Sequence, residues 1–369
     1  MTGHDQTLML VGTRKGLWIG KSGPDRTTWS WSDPLFPMEE VYSCLVDTRG
    51  SSPRLLVGSA SPHWGPHLRR SDDLGETWEE AANVFELPEE AGAGIDQVWQ
   101  LAAGGAQEPD VVYAGTQPSA LFRSEDRGET FTLVRQLWDH PHRPQWGAGF
   151  GGQAIHTILP HPEDPARVVV AMSTGGVYRT ADGGESWEPA NQGIRADFMP
   201  EGQQFPEFGQ CVHKVARHEE HPDRLFAQNH GGVYRSDDAA TTWTSIGDGL
   251  PSDFGFVVAL HPQEPETVYV FPNGAGDSRF PPGGRARVWR SRDGGGSWEE
   301  LGEGLPDRFY SAVVRDAMCV DDAGSYGRPA GVYVGTRCGN VFTSADGGDH
   351  WQRAVENLPD VMVVRAAVV

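Results

Sequence analysis

Ser71-Asp72-Asp73-Leu74-Gly75-Glu76-Thr77-Trp78 returns as Thr180-Ala181-Asp182-Gly183-Gly184-Glu185-Ser186-Trp187, and the shared pattern Ser/Thr-x-Asp-x-Gly-x-Ser/Thr-Trp organises the whole chain. Further copies read SEDRGETF (Ser124–Phe131), SDDAATTW (Ser236–Trp243), SRDGGGSW (Ser291–Trp298) and SADGGDHW (Ser344–Trp351), with an eroded copy, SGPDRTTW, at Ser22–Trp29. Their first residues are 49, 53, 56, 56, 55 and 53 apart. A period of about 50 residues is that of propeller blades. The residue types suit a tight hairpin turn. The Asp and the hydroxyl residue can accept backbone N–H bonds, the Gly position permits positive φ, and the Trp can pack between neighbouring blades. Departures mark where the turn must adapt: Ala240 for Gly, Phe131 for Trp, His350 for Ser/Thr, and Pro24 with Arg26 in the first copy.

Short β-branched runs bounded by turn residues flank each box and read as strands. In the fourth blade they are Ile155–Leu159, Arg167–Met172, Val177–Thr180 and a strand from Trp187. In the sixth they are Phe256–Leu260, Thr267–Phe271 and Val288–Ser291. The opening residues TLMLVGTRKGLWIGKS read as second and third strands, and the closing VMVVRAAVV as an orphan innermost strand. The expected fold is all-β: one seven-bladed propeller domain over residues 1–369, its ring closed by the C-terminal strand joining the first blade, which removes a free sheet edge.

Composition narrows the function. The 369 residues carry 51 acidic and 30 basic side chains, a net charge of -21. Such a chain lacks the electrostatic footprint of a nucleic-acid binder and is repelled by anionic lipid. No apolar run approaches the ~18 residues of a membrane helix. The N-terminal residues have no basic start and only a short apolar run, Leu8–Val11, unlike a secretory signal. Cys44, Cys211, Cys319 and Cys338 form no CxxC pair, so free thiols and a cytoplasmic location are expected.

The boxes resemble those of the Asp-box (BNR) repeat families: sialidases, oligoxyloglucan hydrolases, sortilin-type propellers and photosystem II assembly-factor-like proteins. Segments such as LVGTRKGL, LWDHPHRP, EFGQCVHK and GLPSDFGF are similar to bacterial proteins labelled sialidase-like or BNR-repeat glycosyl hydrolases. The resemblance implies the fold strongly and activity weakly, since function resides in sites grafted onto folds.

Strand direction sorts residues by face, because neighbouring strands are antiparallel. The links between blades and between second and third strands share one face, the top; the Asp boxes and inner-to-second turns lie on the other. His161, His218, His221, His261 and His350 fall to the bottom as turn residues. His63, His67, His140, His142, His156, His213 and His230 fall to the top. GQAIHTI (Gly152–Ile158) and GQCVHKV (Gly209–Val215) are near copies, so His156 and His213 occupy equivalent inner-strand positions. Trp99, Phe256 and Tyr310 are the expected equivalents in blades three, six and seven. Long links at Thr132–Gly151, Glu188–Phe208, Ser59–His67 and Pro272–Arg287 gather on the same face, as functional loops commonly do.

These placements favour a hydrolase with a His-rich top-face pocket for a small polar or anionic substrate. Its expected catalytic residues are His156, His213, Asp139 and Glu207. Its expected substrate contacts are His63, His67, Trp99, His140, His142, Arg195, Gln210, His230 and Arg337. A divalent metal on His156 and His213 is a second reading, with other top-face histidines or the carboxylates of Asp139 and Glu207 completing the ligands. A non-catalytic propeller binding a protein partner is a third. The sialidase resemblance implies an arginine cluster (Arg14, Arg143, Arg195, Arg279, Arg337), a Tyr activated by Glu (Tyr42 with Glu39 or Glu40, or Tyr310) and an Asp acid/base (Asp139 or Asp197). It also implies six blades and an Arg-Ile-Pro start, whereas this sequence counts seven boxes and reads Thr13-Arg14-Lys15-Gly16. A true sialidase is therefore disfavoured.

Overall fold

The computed structural model describes residues 6–81, 85–149, 152–276 and 278–369. Seven four-stranded antiparallel sheets follow one another round a ring. The inner strands are Val361–Val368, Glu40–Asp47, Gln97–Ala103, Ile155–Pro160, Val212–Arg217, Gly255–Leu260 and, in blade seven, the short Met318–Val320. The strand positions read from sequence in blades four and six hold to within one or two residues.

Blade one is assembled from both ends of the chain. Val361–Val368 pairs antiparallel with Thr7–Thr13, from Thr7 opposite Val368 to Thr13 opposite Val361. Val361, Val363 and Val364 are fully buried there. The seam with blade seven is closed by the eroded first box. Arg26 takes the Gly position with φ 55°. Its guanidinium, 2 % exposed, donates to Asp321 Oδ2 at 3.0 Å, Pro329 O at 2.8 Å and Ala345 O at 3.1 Å. Asp25 keeps a contracted turn, accepting from the amide and hydroxyl of Thr27. Gln352 donates to Arg26 O, and Trp31 Nε1 to Ala354 O.

The repeated turn works as its residue types suggest. In blade two, Gly75 N–H donates to Ser71 Oγ at 2.8 Å, Thr77 N–H to Asp73 Oδ1 at 2.9 Å, and the Thr77 hydroxyl to Asp73 Oδ2 at 2.6 Å. Ala240 adopts the left-handed conformation that glycine holds elsewhere (φ 66° against 94° at Gly184) and keeps its bond to Ser236. His350 replaces the hydroxyl with its own Nδ1–H, 2.7 Å from Asp346. Third-strand arginines of blades four, five and six reach the next blade's turn: Arg179 donates to Ala239 O, Arg235 to Gly294 O and Arg290 to Gly347 O.

The inner strands share an irregularity that shapes the axis. In blades two to five one inner residue is skipped in the pairing, leaving Tyr42, Trp99, His156 and His213 bulged. Met362 is skipped in blade one, and Phe256 lies in the corresponding break of blade six. A bulge bends the strand and re-aims a side chain. Six of the seven inner strands thus carry a break in their pairing.

The turn aspartates carry a pH signature. Hydroxyl and amide donors within the box hold Asp73, Asp182 and Asp293 down at about 2, the hydroxyls of Thr77, Ser186 and Ser291 leading. Asp126, Asp238 and Asp346 are lowered too, burial opposing the same donors. The ordinary unfolded value is about 3.9. A depressed folded value adds stability that is full above the unfolded value and lost as pH falls through the folded one. Denaturant titrations should therefore show stability holding down to about pH 5 and declining from about pH 4 to 2. Replacing Asp73, Asp182 and Asp293 together by Asn should flatten that decline.

Candidate functional site

A funnel of about 930 Å³ opens at the top of the axis. Five of the six side chains at the breaks line it: Tyr42, Trp99, His213, Phe256 and Met362. Trp99 lies 4.9 Å from Tyr42 between ring centroids and donates Nε1–H to Gln117 Oε1 at 3.0 Å. His213 stacks on Phe256 at 4.9 Å.

Blade seven supplies the residue that organises the floor. Its inner segment is irregular before Met318, and Arg315 and Asp316 project from it into the axis. The Arg315 guanidinium carbon is 5.6 Å from the centre of the Trp99 ring and 5.8 Å from that of Phe256, a cation held between two π-faces. Its NH2 donates to Ser173 Oγ at 3.1 Å across the axis, and its buried Nε has no hydrogen-bond partner among the described residues. Arg14, Arg279 and Arg337 also line the funnel, against Glu40, Asp96 and Asp316. Arg14 pairs with Glu40 at 3.0 Å and Arg337 with Asp360 at 2.9 Å. Four arginines against three carboxylates is a cationic mouth on a chain of net charge -21.

A polar plug crosses the axis with Asp316. Lys214 Nζ donates to Asp316 Oδ1 at 2.8 Å, to Gln100 Oε1 at 2.8 Å and to His156 O at 3.3 Å. Arg365 donates to the same carboxylate. These side chains come from blades seven, five, three and one, so their contacts span the centre. Burial would push Asp316 up, but Lys214 and Arg365 hold it below the ordinary carboxylate range.

The expected site residues divide. Trp99, His213, His230 and Arg337 line the funnel. His156 does not: it is 1 % exposed, its Nε2–H donates to Val212 O at 2.9 Å, and Nδ1 faces Thr157 Oγ1 at 3.3 Å. It ties two blades together. His213 makes the matching tie, Nδ1–H to Gly255 O at 2.6 Å, yet keeps its other edge toward the funnel. Burial drives both imidazoles well below their ordinary value, with Arg315 adding to it, and burial and Arg279 lower His230.

The remaining expected contacts serve other ends. Gln210 is fully buried and donates to Pro206 O, pinning the loop before its strand. His140 donates to Trp187 O, and His142 meets the Tyr178 hydroxyl and stacks on Phe208 at 4.0 Å, so both dock the long link against blade four. His67 bonds Glu80, Asp139 pairs with Arg135, and Arg195 pairs with Asp197. His63 and Glu207 are solvent-exposed and outside the funnel. Tyr310 is not the blade-seven equivalent; it sits exposed on the link beside Phe280. Arg315, Cys211 and Asp96 were not among the expected site residues.

No family model matches this chain. It is similar to curated xyloglucanases. One is the oligoxyloglucan-reducing end-specific xyloglucanase of Emericella nidulans, 26% identical over 263 residues, 63% of this chain and 30% of that protein. Another is the xyloglucanase of a Paenibacillus species, 24% identical over 296 residues, 69% and 26% respectively. The chain thus spans under a third of these relatives' length. Among solved structures, the GH74 enzyme of Niastella koreensis superposes with a TM-score of 0.59 at 15% identity, covering 95% of this chain and 55% of that one. YCF48 from Cyanidioschyzon merolae gives 0.56 at 15% identity, covering 87% and 86%. The shared feature is the fold.

The plug makes a stability prediction. Asp316→Asn leaves Lys214 and Arg365 buried without their counter-charge and should cost about 3–5 kcal/mol in chemical denaturation. Arg315→Met, which leaves the Asp316 network intact, should cost much less.

Proposed function

We propose that this protein is a glycoside-hydrolase-like propeller whose axial funnel takes a small saccharide bearing an anionic group. The observation that carries this reading is the convergence of Arg14, Arg279, Arg315 and Arg337 with Tyr42, Trp99, Glu40 and Asp96 round one funnel. Aromatic faces with a few convergent polar groups suit a sugar ring. The guanidinium of Arg315, which lines the funnel, suits a carboxylate or sulfate. Similarity to xyloglucanases supports the glycosidic class.

In this proposal the Tyr42 oxygen attacks the anomeric carbon and Glu40, beside it, takes the phenolic proton, while Asp96 protonates the departing glycosidic oxygen. Water, deprotonated by Asp96, then displaces Tyr42, and Glu40 returns its proton. Burial and the Glu40 charge raise the Tyr42 hydroxyl above its ordinary value, which makes a base at its side necessary. The seven blades and the missing Arg-Ile-Pro start separate this arrangement from a true sialidase. Four free cysteines support a reducing, cytoplasmic setting as part of the same proposal.

A second reading, a propeller that binds a protein partner, draws on exposed apolar side chains in the top links: Trp64 at 80%, Phe205 at 65% and Phe198 at 54% exposure. A panel of neutral, carboxylated and sulfated aryl glycosides and oligosaccharides separates the two. Anionic members should bind by calorimetry and be turned over. Arg315→Met should weaken binding about tenfold or more, and Tyr42→Phe should abolish turnover while preserving binding. Absence of saccharide binding, or binding unchanged by Arg315→Met, would favour the second reading.

A further inference from the structure

One wall of the funnel holds a group that the saccharide reading does not use. Cys211 Sγ and one ring nitrogen each of His213 and His230 all lie within 4.8 Å of one another. Two of the three come from the start of the inner strand of blade five. The third comes from the link between its second and third strands, Leu225–Asn229 and Gly232–Ser236. The backbone N–H of His230 donates to Cys211 O at 2.9 Å, fixing that link over the strand.

The His213 ring is already set for ligation. Because Nδ1 donates its proton to Gly255 O, Nε2 carries the lone pair. That nitrogen faces Cys211 Sγ at 3.5 Å. A metal bound at about 2.3 Å from sulfur and about 2.05 Å from nitrogen at a tetrahedral angle separates the two by about 3.6 Å. A carbonyl holding the far nitrogen is the usual outer support of a ligating histidine. His230 stands nearly edge-on to His213, with centroids 5.6 Å apart and planes at 74°. Its nearer ring nitrogen lies within 4.8 Å of both partner atoms, so binding requires the ring to move inward to the about 3.4 Å that separates two ligating nitrogens. By contrast His156, the expected partner of His213, has both nitrogens directed at protein oxygens.

We propose that Cys211, His213 and His230 form a zinc site in the funnel wall, with its fourth position open to the cavity. Thiolate with two imidazoles suits a borderline-soft ion of tetrahedral habit. Arg279 and Arg315 line the same funnel and oppose a dication, and the thiolate formed on binding, its proton passing to solvent, offsets one charge. The site stands independently of the saccharide reading.

The test strips the purified protein with a chelator, removes the chelator, and titrates first Zn²⁺ and then Co²⁺. About one equivalent of zinc per chain should bind. The cobalt form should show a near-ultraviolet sulfur-to-cobalt charge-transfer band with the intense visible bands of a tetrahedral ion. Cys211→Ser should remove the charge-transfer band, and His230→Ala should weaken zinc binding about tenfold or more. Cys338→Ser, which alters an exposed thiol elsewhere, should retain both. Circular dichroism checks that each variant is folded, and His230→Ala, in a surface link, serves if Cys211→Ser is not. Zinc uptake well below one equivalent, a charge-transfer band that survives Cys211→Ser, or unchanged affinity in His230→Ala would each overturn the site and leave a thiol–imidazole contact.

Discussion

The ring depends on a seam that the repeat cannot make for itself. Every other junction joins blades whose strands follow one another, and from blades four, five and six a third-strand arginine reaches forward to the next turn. Between blades seven and one that arrangement is replaced by Arg26, which reaches back into blade seven and is met by Asp321. The carboxylate also accepts from the amides of Ala323 and Gly331 and from the Tyr333 hydroxyl. A buried ion pair is favourable only when such additional bonds satisfy it. The degenerate first box is therefore a clasp built from a contracted turn.

The inner-strand breaks explain how a monotonous scaffold acquires a varied site. Matching breaks in the inner strands hold Tyr42, Trp99, His156, His213, Phe256 and Met362, and all but His156 line the funnel. The side chain at each is free to differ because the pairing on either side is kept. Blade seven departs from the rule, and its irregular inner segment puts Arg315 and Asp316 across the axis. One serves the floor of the funnel and the other the plug beneath it. The two neighbouring residues thus divide between the funnel floor and the closure of the channel.

Fold and face were legible because they depend on periodicity and strand direction, both properties of the sequence alone. Counting boxes gave seven blades, and parity placed Trp99, His213, His230 and Arg337 at the funnel. What failed was the step from face to cavity. His140, His142 and Gln210 lie in or beside long links, and packing of those links on the blades consumed them. His156 and His213 are sequence copies and equally buried, but both nitrogens of His156 are bonded to protein oxygens, whereas Nε2 of His213 is left facing Cys211 at the funnel wall. Arg315 escaped because SAVVRDAM does not form a regular inner strand until Met318, so no register marked it. Cys211 was read as a buried thiol, and only the fold brings His230 over it.

Assembly of blade one from distant segments sets an order of events in synthesis. Thr7–Thr13, fully buried in the finished ring, emerges from the ribosome more than three hundred residues before the strand that covers it. Until then its axis-side hydrogen-bonding groups are an open template for pairing with other nascent chains. The largest loop-closure cost falls on the final step, so the folding nucleus is expected to form among the middle blades, with circularisation as the late, slow event.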